Sequence, residues 1–245
     1  MRTFFTLFVV VFLTNFLPAQ STAYVINAGP TLGTQKWDNG GDRKVLFKYH
    51  VALTIESVNN EDDKSAGFIQ FGYHVKGSAD RTPFYLNNGG NGIFSREYLF
   101  NNLSLAIGAK QKFPLGAAGR SRYFYYGALR GDYTLSTNID ELNNQYGSYT
   151  DIYSPQVAFM NRWMFGLSIG GGLQFPLAEL IGGQLTLSIC PDITNQYRQP
   201  ALTNVINPNG GVPGQTTTLS AQRIRNTALE ISVGLRLLHK VEVIE

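Results

Sequence analysis

Residues 163–193 read WMFGLSIGGGLQFPLAELIGGQLTLSICPDI, and large apolar side chains occupy alternate positions on both sides of Pro176. The apolar positions are Phe165, Leu167, Ile169, Leu173, Phe175, Leu185, Leu187 and Ile189. The intervening residues are mostly Gly, Ser, Thr and Gln. A period of two predicts extended strands with two different faces. The small-polar face is too poor in bulky residues for a soluble core and too poor in charge for an ordinary surface. The pattern is typical of membrane-barrel strands, apolar outside and small-polar inside.

The same alternation recurs along the chain in eight runs. They are residues 24–36, 45–57, 67–76, 98–113, 122–135, 163–175, 183–197 and 226–238. Strands of soluble domains average about five to six residues, whereas tilted membrane strands need about nine to eleven. The runs therefore predict an all-β fold: a single antiparallel up-and-down transmembrane β-barrel of about eight strands, forming one domain over residues 24–245.

The connections between these runs alternate in length. Long polar connections are predicted at residues 77–97, 136–162 and 198–225, and short ones at 58–66, 114–121 and 176–182. Bacterial barrels combine short periplasmic turns with longer extracellular loops. The asymmetry predicts that the three long connections face the outside of the cell. Within the second, residues 140–144 predict a helical turn and no more.

The N-terminus has the features of an export signal. Arg2 precedes an apolar run over residues 4–17, which is too short to span a membrane as a helix. Small residues offer two cleavage sites, after Ala19 or after Ala23. We therefore expect residues 1–23 to be a cleaved signal peptide and the protein to be localised in the cell outer membrane.

Composition excludes several function classes. The formal net charge is only +3, from 20 basic and 17 acidic residues, and no basic run is present, which argues against nucleic acid as a partner. Cys190 is the only cysteine, so no intramolecular disulfide forms. His50 and His74 lie on small-polar strand faces without metal-ligand spacing. We predict no metal and no cofactor.

Charged residues in the runs lie mainly on the small-polar face and so should point into the lumen. An Arg or Lys side chain that faced lipid near the midplane instead would destabilise the barrel by about 2–4 kcal/mol. We predict two structural layers of ion pairs, Glu230 with Arg130 or Lys48, and Glu56 with Arg236 or Lys110. Aromatic residues gather near the run ends and predict interfacial girdles. They include Trp37, Tyr98, Phe100, Phe113, Tyr123, Trp163, Phe165, Phe175 and Tyr197.

Two segments carry a family resemblance. FGLSIGGGLQ at residues 165–174 and NTALEISVGL at residues 226–235 resemble the outer-membrane β-barrel domain proteins of the PorT-like group. The resemblance implies a barrel fold in the outer membrane and, for PorT itself, a link with protein secretion and gliding machinery. No residue in this chain carries that role over. The chain also departs from many outer-membrane barrels in lacking a C-terminal aromatic residue, since it ends HKVEVIE.

The function predicted from these features is structural, or binding, or part of an envelope machine, exerted through long extracellular loops above a largely filled lumen. Outer-membrane lipid and other envelope proteins are the expected partners, and no enzymatic activity is predicted. One alternative is a barrel-embedded enzyme acting on lipid or peptide, and another is a secreted soluble β-barrel binding protein. Residues 130–132 spell the adhesion tripeptide Arg-Gly-Asp, but inside a predicted strand rather than at a loop tip.

Overall fold

The computed structural model describes residues 21–38, 43–58, 64–85, 90–116, 120–146, 155–207, 212 and 214–239. Most of the expected signal peptide, residues 1–20, lies outside the described residues, as does the C-terminal segment 240–245.

Eight long antiparallel strands form a closed ring. Each of the first six pairs with the next strand along the chain. The seventh pairs with the last long strand, and the last long strand pairs back with the first. The closing ladder runs from Thr22 opposite His239 to Trp37 opposite Ile224. Because the ring closes, no long strand presents an unpaired edge along its membrane-spanning part, which is the condition for a sheet to cross lipid. The predicted all-β up-and-down barrel is confirmed.

The elements have the following bounds. In chain order they are β1 Ser21–Trp37, β2 Leu46–Val58, β3 Ser65–Tyr85, β4 Asn91–Leu115, β5 Ser121–Thr137, helix α1 Ile139–Tyr146, a 3₁₀ turn Val157–Phe159, β6 Trp163–Pro176, β7 Ile181–Pro191, β8 Tyr197–Gln199, β9 Leu202–Ile206, β10 Thr216–Leu219 and β11 Gln222–His239. Strands β1 to β7 and β11 form the barrel, β8 extends the sheet beside β11, and β9 and β10 form a separate hairpin.

The predicted loop over residues 77–97 is wrong in most of its length. β3 and β4 continue to pair from Val75 opposite Asn101 to Tyr85 opposite Asn91, well beyond the point where β2 and β5 stop pairing with them. The two strands satisfy each other's backbone groups, and the base of the hairpin is buried at Lys76, Ser78 and Ala79. The predicted Asn- and Gly-rich loop is therefore too long in both directions, and residues 86–89 lie outside the described residues.

Two smaller corrections concern the other long connections. β7 ends at Pro191 rather than Tyr197, because proline has no N–H for the ladder, and Tyr197 instead begins β8. The helix α1 has eight residues, more than the single turn predicted. No helix among the described residues is long and apolar enough to cross a membrane.

The two ends of the barrel differ. The short turns after β2, β4 and β6 lie at the end that holds Ser21 and His239, which we call the turn end. The opposite end, the loop end, carries the projecting β3–β4 hairpin, α1, the 3₁₀ turn and β8 to β10. Only the loop end therefore has additional folded structure above the barrel among the described residues.

Around the barrel exterior runs an apolar belt. Register aligns outward side chains in rows, such as Leu53 opposite Phe71 and Phe71 opposite Leu105. Belt residues are exposed throughout, Val233 to 65% and Leu129 to 69%. Soluble monomers rarely expose a contiguous apolar patch of more than a few hundred Å². An exposed apolar band around a closed barrel is the surface of a protein that spans a membrane.

The predicted aromatic girdles are only partly present. Phe113 stacks on Tyr123 with ring centroids 5.0 Å apart, and Tyr133 contacts Trp163 at 4.8 Å on the exterior. Four residues assigned to the girdles instead point inward and close the loop end. With α1 and β11 they form a cluster that we call the apolar plug, consisting of Trp37, Tyr98, Phe100, Ile139, Tyr197 and Ile224.

The start of β1 discriminates between the two signal cleavage sites. Ser21 and Ala23 are buried, and Ala23 lies opposite Leu238 in the closing ladder. Cleavage after Ala23 would remove three paired residues, so we expect cleavage after Ala19. Intact-mass measurement of the exported protein should give a chain beginning at Gln20, and a chain beginning at Tyr24 would contradict this.

A charge in the middle of the apolar belt should destabilise the barrel. Val233 lies halfway along the outward apolar row of β11, and Thr227 lies at its upper edge. We expect Val233→Arg to lower the free energy of unfolding in lipid by about 2–4 kcal/mol and Thr227→Arg by about 0–1 kcal/mol. Denaturant unfolding in vesicles measures both. Equal costs for the two variants would mean that the belt does not face lipid.

Candidate functional site: the filled lumen

The inward faces of the strands bring charged side chains together in a narrow space. Among the residues predicted to face the lumen, Glu56, Lys110 and Arg130 are buried and Arg236 and Glu230 are largely so. They belong to two groups at different heights. The upper charge cluster consists of His74, Lys76, Arg130, Asp132, Asp192 and Glu230, and the lower charge cluster of Glu56, Lys110, Lys112 and Arg236.

Two carboxylates and two cations form the centre of the upper charge cluster. The Lys76 ammonium donates to Asp132 Oδ2 at 2.6 Å and to Asp192 Oδ1 at 2.7 Å. Arg130 donates from Nε to Asp132 at 3.1 Å and from Nη2 to Asp192 at 2.8 Å. Each cation thus bridges both carboxylates. Asn226 completes the shell by donating to Asp192 Oδ2 at 2.8 Å.

His74 lies between two further carboxylate oxygens. Its Nδ1 is 3.0 Å from Glu230 Oε1 and its Nε2 is 3.2 Å from Asp132 Oδ1. An ionised carboxylate only accepts hydrogen bonds, so both ring nitrogens must carry hydrogen for both contacts to be hydrogen bonds. In that state His74 is a cation, and the cluster holds three cations and three carboxylates. The charges of the upper charge cluster then balance.

The lower charge cluster has a different balance, with three cations around one carboxylate. Lys110 forms an ion pair with Glu56 Oε1, while Lys112 and Arg236 lie 3.5 and 3.8 Å from Glu56 Oε2. Lys110 also donates to Gln184 at 3.3 Å, and its ammonium lies 4.4 Å from the centre of the Phe124 ring. Both contacts favour a desolvated cation. Glu56 is therefore the shared counter-charge of the whole cluster.

The predicted ion-pair layer around Glu56 is present in the structure, whereas Glu230 has a different partner from the predicted ones. Glu56 contacts both of its predicted partners, Arg236 and Lys110. For Glu230 the predicted partners Arg130 and Lys48 need correction, since Glu230 contacts His74. Arg130 is taken up by Asp132, two residues away on the same strand face, and by Asp192. Lys48 lies higher, at the loop end, and donates to Glu97 at 3.0 Å.

Sequence reasoning omitted two cations that the structure places at the centre of these clusters. Lys76 and Lys112 are fully buried. Each lies two residues beyond an inward-facing residue, His74 and Lys110 respectively, so strand parity alone indicates an inward direction. Both lysines lie at the ends of their predicted runs. At those positions alternation does not distinguish a residue that faces the lumen from a residue of the following loop.

A histidine–serine pair lies in the middle of the lumen. His50 Nε2 is 2.7 Å from Ser232 Oγ, and His50 Nδ1 is 3.0 Å from Thr31 Oγ1. A base–hydroxyl pair is the core of a nucleophilic site, but such a site also orients the base, usually with an acid, and admits substrate. Here the third member is a hydroxyl, and all three residues are buried between the two charge clusters. The geometry is that of a structural hydrogen-bond chain.

Little free space remains in the lumen. Two small polar cavities adjoin Glu230, with about 20 and 30 Å³ of space for water, enough for about one or two molecules each. Within the described part of the chain, no group of three His, Cys, Asp or Glu side chains is arranged to hold a metal ion. Arg130 and Asp132 of the adhesion tripeptide are buried in the lumen, out of reach of a surface partner.

The apolar plug lies above the charge clusters at the loop end. Trp37 and Tyr98 pack with ring centroids 5.0 Å apart, and the Arg43 guanidinium lies 3.7 Å from the centre of the Trp37 ring. Burial lowers the pKa of Arg43 from its ordinary value, and Asp80, 3.2 Å away, opposes that change. Helix α1 contributes Ile139 and β8 contributes Tyr197. The connections therefore fold back over the mouth of the barrel.

The closed ladder, the apolar belt and the filled lumen together define the class: a membrane-spanning, eight-stranded β-barrel. No family model and no curated protein sequence matches the chain. Among solved structures, Neisserial surface protein A covers 89% of this chain and 99% of its own at 10% identity and a TM-score of 0.45. The match to OprG of Pseudomonas aeruginosa covers 89% of this chain and 97% of OprG, at 10% identity and a TM-score of 0.45. The protease OmpT of Escherichia coli covers 89% and 96% at 8% identity and 0.43. No activity or ligand is transferred from them.

Removing the shared carboxylate of the lower charge cluster should cost more than removing one of its cations. Glu56→Gln removes the carboxylate that Lys110, Lys112 and Arg236 share, and breaking a buried pair in this way typically costs about 3–5 kcal/mol. Lys110→Met leaves Glu56 with Lys112 and Arg236, so a smaller loss is expected. Denaturant unfolding of each variant gives the free energies.

The double variant Glu56→Gln/Lys110→Met serves as the control for this prediction. It also removes Lys110, whose ion pair with Glu56 is lost in the single variant, and should be more stable than Glu56→Gln alone. Strictly additive losses would mean that the two side chains are not coupled.

Proposed function

We propose that the protein is a sealed outer-membrane barrel that acts as a rigid scaffold for binding other envelope components at its loop end. The observation that carries the proposal is the filled lumen, in which two charge clusters and the apolar plug occupy successive heights. A narrow eight-stranded barrel can be filled by its own side chains, and the two cavities beside Glu230 have room for only about one or two waters each. Bulk transport is therefore the role that the geometry supports least.

The loop end supports the binding part of the proposal. Its structure is folded rather than a set of extended loops, with the β3–β4 hairpin and the β9–β10 hairpin both rising above the barrel. Each hairpin exposes apolar side chains outside the belt, Ile93 to 71% and Ile206 to 62%. Rigid hairpins that present apolar residues lose little conformational entropy on binding. Other proteins of the cell envelope are the proposed partners.

The orientation and the localisation follow from the same asymmetry. We place the turn end in the periplasm and the loop end outside the cell, since outer-membrane barrels carry their longer connections outside. Membership of the PorT-like group is the finer form of this proposal and is supported by the two resembling segments. A role in an envelope machine is proposed with it, although no residue of the chain carries that role over. The enzyme alternative gains no support, since no candidate nucleophile among the described residues combines a base, an acid and access for substrate.

The proposal is tested first by conductance. Purified barrel inserted into planar lipid bilayers in molar KCl should give no discrete current steps, because no continuous water path crosses the lumen. A sixteen-stranded porin, which has an aqueous channel, serves as the positive control under the same conditions. Discrete steps from the wild-type barrel would overturn the sealed-lumen part of the proposal.

The scaffold part is tested by trimming one hairpin. Replacing residues 201–220 with a short Gly–Ser linker removes β9 and β10 and leaves the ladder of β11 with β1 and β7 intact. The trimmed barrel should still shift in apparent mass between boiled and unboiled SDS gels. Envelope proteins that co-purify with the wild type should be lost with the trimmed chain and retained with Val205→Thr. Identical co-purification with the trimmed and the wild-type barrel would contradict a role for this hairpin.

A further inference from the structure

Four basic residues meet on the barrel exterior at the loop end. Lys36, Arg198, Arg223 and Arg225 are all exposed and all lie on the outward faces of their strands, and we call this set the loop-end basic patch. Lys36 lies directly opposite Arg225 across the β1–β11 ladder, and Arg198 lies directly opposite Arg223 across the β8–β11 ladder. Arg223 and Arg225 are two residues apart on β11 and share one face.

Like charges in such positions oppose folding. Side chains directly opposite across an antiparallel pair have Cβ atoms about 4.5–5.5 Å apart, and like charges there are destabilising. Two such pairs lie side by side in this patch. Asp38 brings one carboxylate to its edge, with its backbone N–H donating to Arg223 O at 3.0 Å. Four cations and one carboxylate leave three positive charges. Among the described residues, no carboxylate forms an ion pair with any of the four cations.

The position of the patch relative to the apolar belt indicates what would neutralise it. Along the β1–β11 ladder the outward pairs run Tyr24–Leu237, Ile26–Leu235, Ala28–Val233, Leu32–Leu229, Thr34–Thr227 and Lys36–Arg225. Apolar pairs are followed by one pair of threonines and then by the like-charged pair. The basic patch thus begins four residues, or roughly 13 Å along the tilted strand, above the last apolar pair. That height is where the headgroup of a lipid packed on the belt would lie.

We propose that the loop-end basic patch binds the phosphate-bearing headgroup of a membrane lipid whose acyl chains lie on the belt below it. Arginine guanidinium groups bind phosphate oxygens in pairs, and two arginines on one strand face can hold one phosphate or two adjacent ones. Thr34 and Thr227 offer hydroxyl groups just below. A soluble anion would gain only the charge contacts, whereas a lipid gains the charge contacts and the apolar contacts of the belt.

The inference rests on the membrane-spanning barrel of the proposed function but has a separate readout. Native mass spectrometry of the intact protein in detergent measures binding of three probes: lipid A, which is a bisphosphorylated glycolipid, phosphatidylcholine, and inorganic pyrophosphate. The wild type should bind lipid A over both others. Arg223→Gln/Arg225→Gln should bind lipid A about tenfold or more weakly, since each lost charged hydrogen bond is worth about that factor or more. A conducting lumen would overturn the sealed-lumen proposal and leave this titration unchanged.

The matched control is Arg120→Gln/Arg162→Gln, which removes the same charge from two exposed arginines outside the patch and should bind lipid A as the wild type does. A second measurement distinguishes weak binding caused by the lost charges from weak binding caused by poor folding of the variant. In phosphatidylcholine nanodiscs Arg225→Gln should melt above the wild type, because a like-charged pair is relieved. With lipid A added, the order of the two melting temperatures should reverse. Unchanged lipid A binding by the double variant, binding of pyrophosphate as tight as that of lipid A, or the absence of this reversal would overturn the proposal.

Discussion

The backbone of this chain must satisfy its hydrogen bonds without water, and most other features follow from that constraint. In a lipid environment an unpaired strand edge is costly, so the sheet has to close. Closure occurs where β11 pairs with β1 along almost the whole length of both. An eight-stranded ring is narrow. Side chains from opposite walls therefore come into direct contact, as His74 of β3 does with Glu230 of β11, 3.0 Å away across two intervening strands of the ring.

In the narrow lumen, charged side chains are buried and have to be packed against partners of opposite charge. A buried charge is tolerated only with a partner and with its other hydrogen bonds satisfied. The upper charge cluster meets this condition by sharing, for every cation nitrogen except Arg130 Nη1. Lys76 and Arg130 each contact both Asp132 and Asp192, and His74 supplies the third cation when both of its ring nitrogens carry hydrogen. The lower charge cluster depends on Glu56 and on softer contacts, an amide oxygen and an aromatic ring. Such a network joins strands from different sides of the barrel through shared ion pairs.

The exterior and the loop end carry the features that a sealed barrel can still offer to partners. The apolar belt fixes the depth of the barrel in lipid, and the loop-end basic patch lies above it on β1, β8 and β11, separated from it by the Thr34–Thr227 pair. The hairpins stand clear of both. The base of the β3–β4 hairpin is joined to the barrel by the bridge of Ala79 with Lys44 and by the hydrogen bond from Ser78 Oγ to Gln35 Oε1. The surfaces at this end are therefore formed by residues outside the lumen network.

The sequence by itself determined the strands, the closed-barrel class and the inward direction of most lumen charges, because alternation with period two is a local property of the chain. Glu56, Lys110 and Arg130 could be assigned to the lumen from parity alone. Parity does not say which charges meet, since that depends on how the strands tilt and stagger when the ring closes. Three contacts are visible only in the tertiary structure. Glu230 pairs with His74, and Trp37 and Tyr197 pack in the apolar plug instead of a girdle. Arg198, in a three-residue strand, lies opposite Arg223. Each of these contacts joins residues whose relative height is a property of the whole barrel.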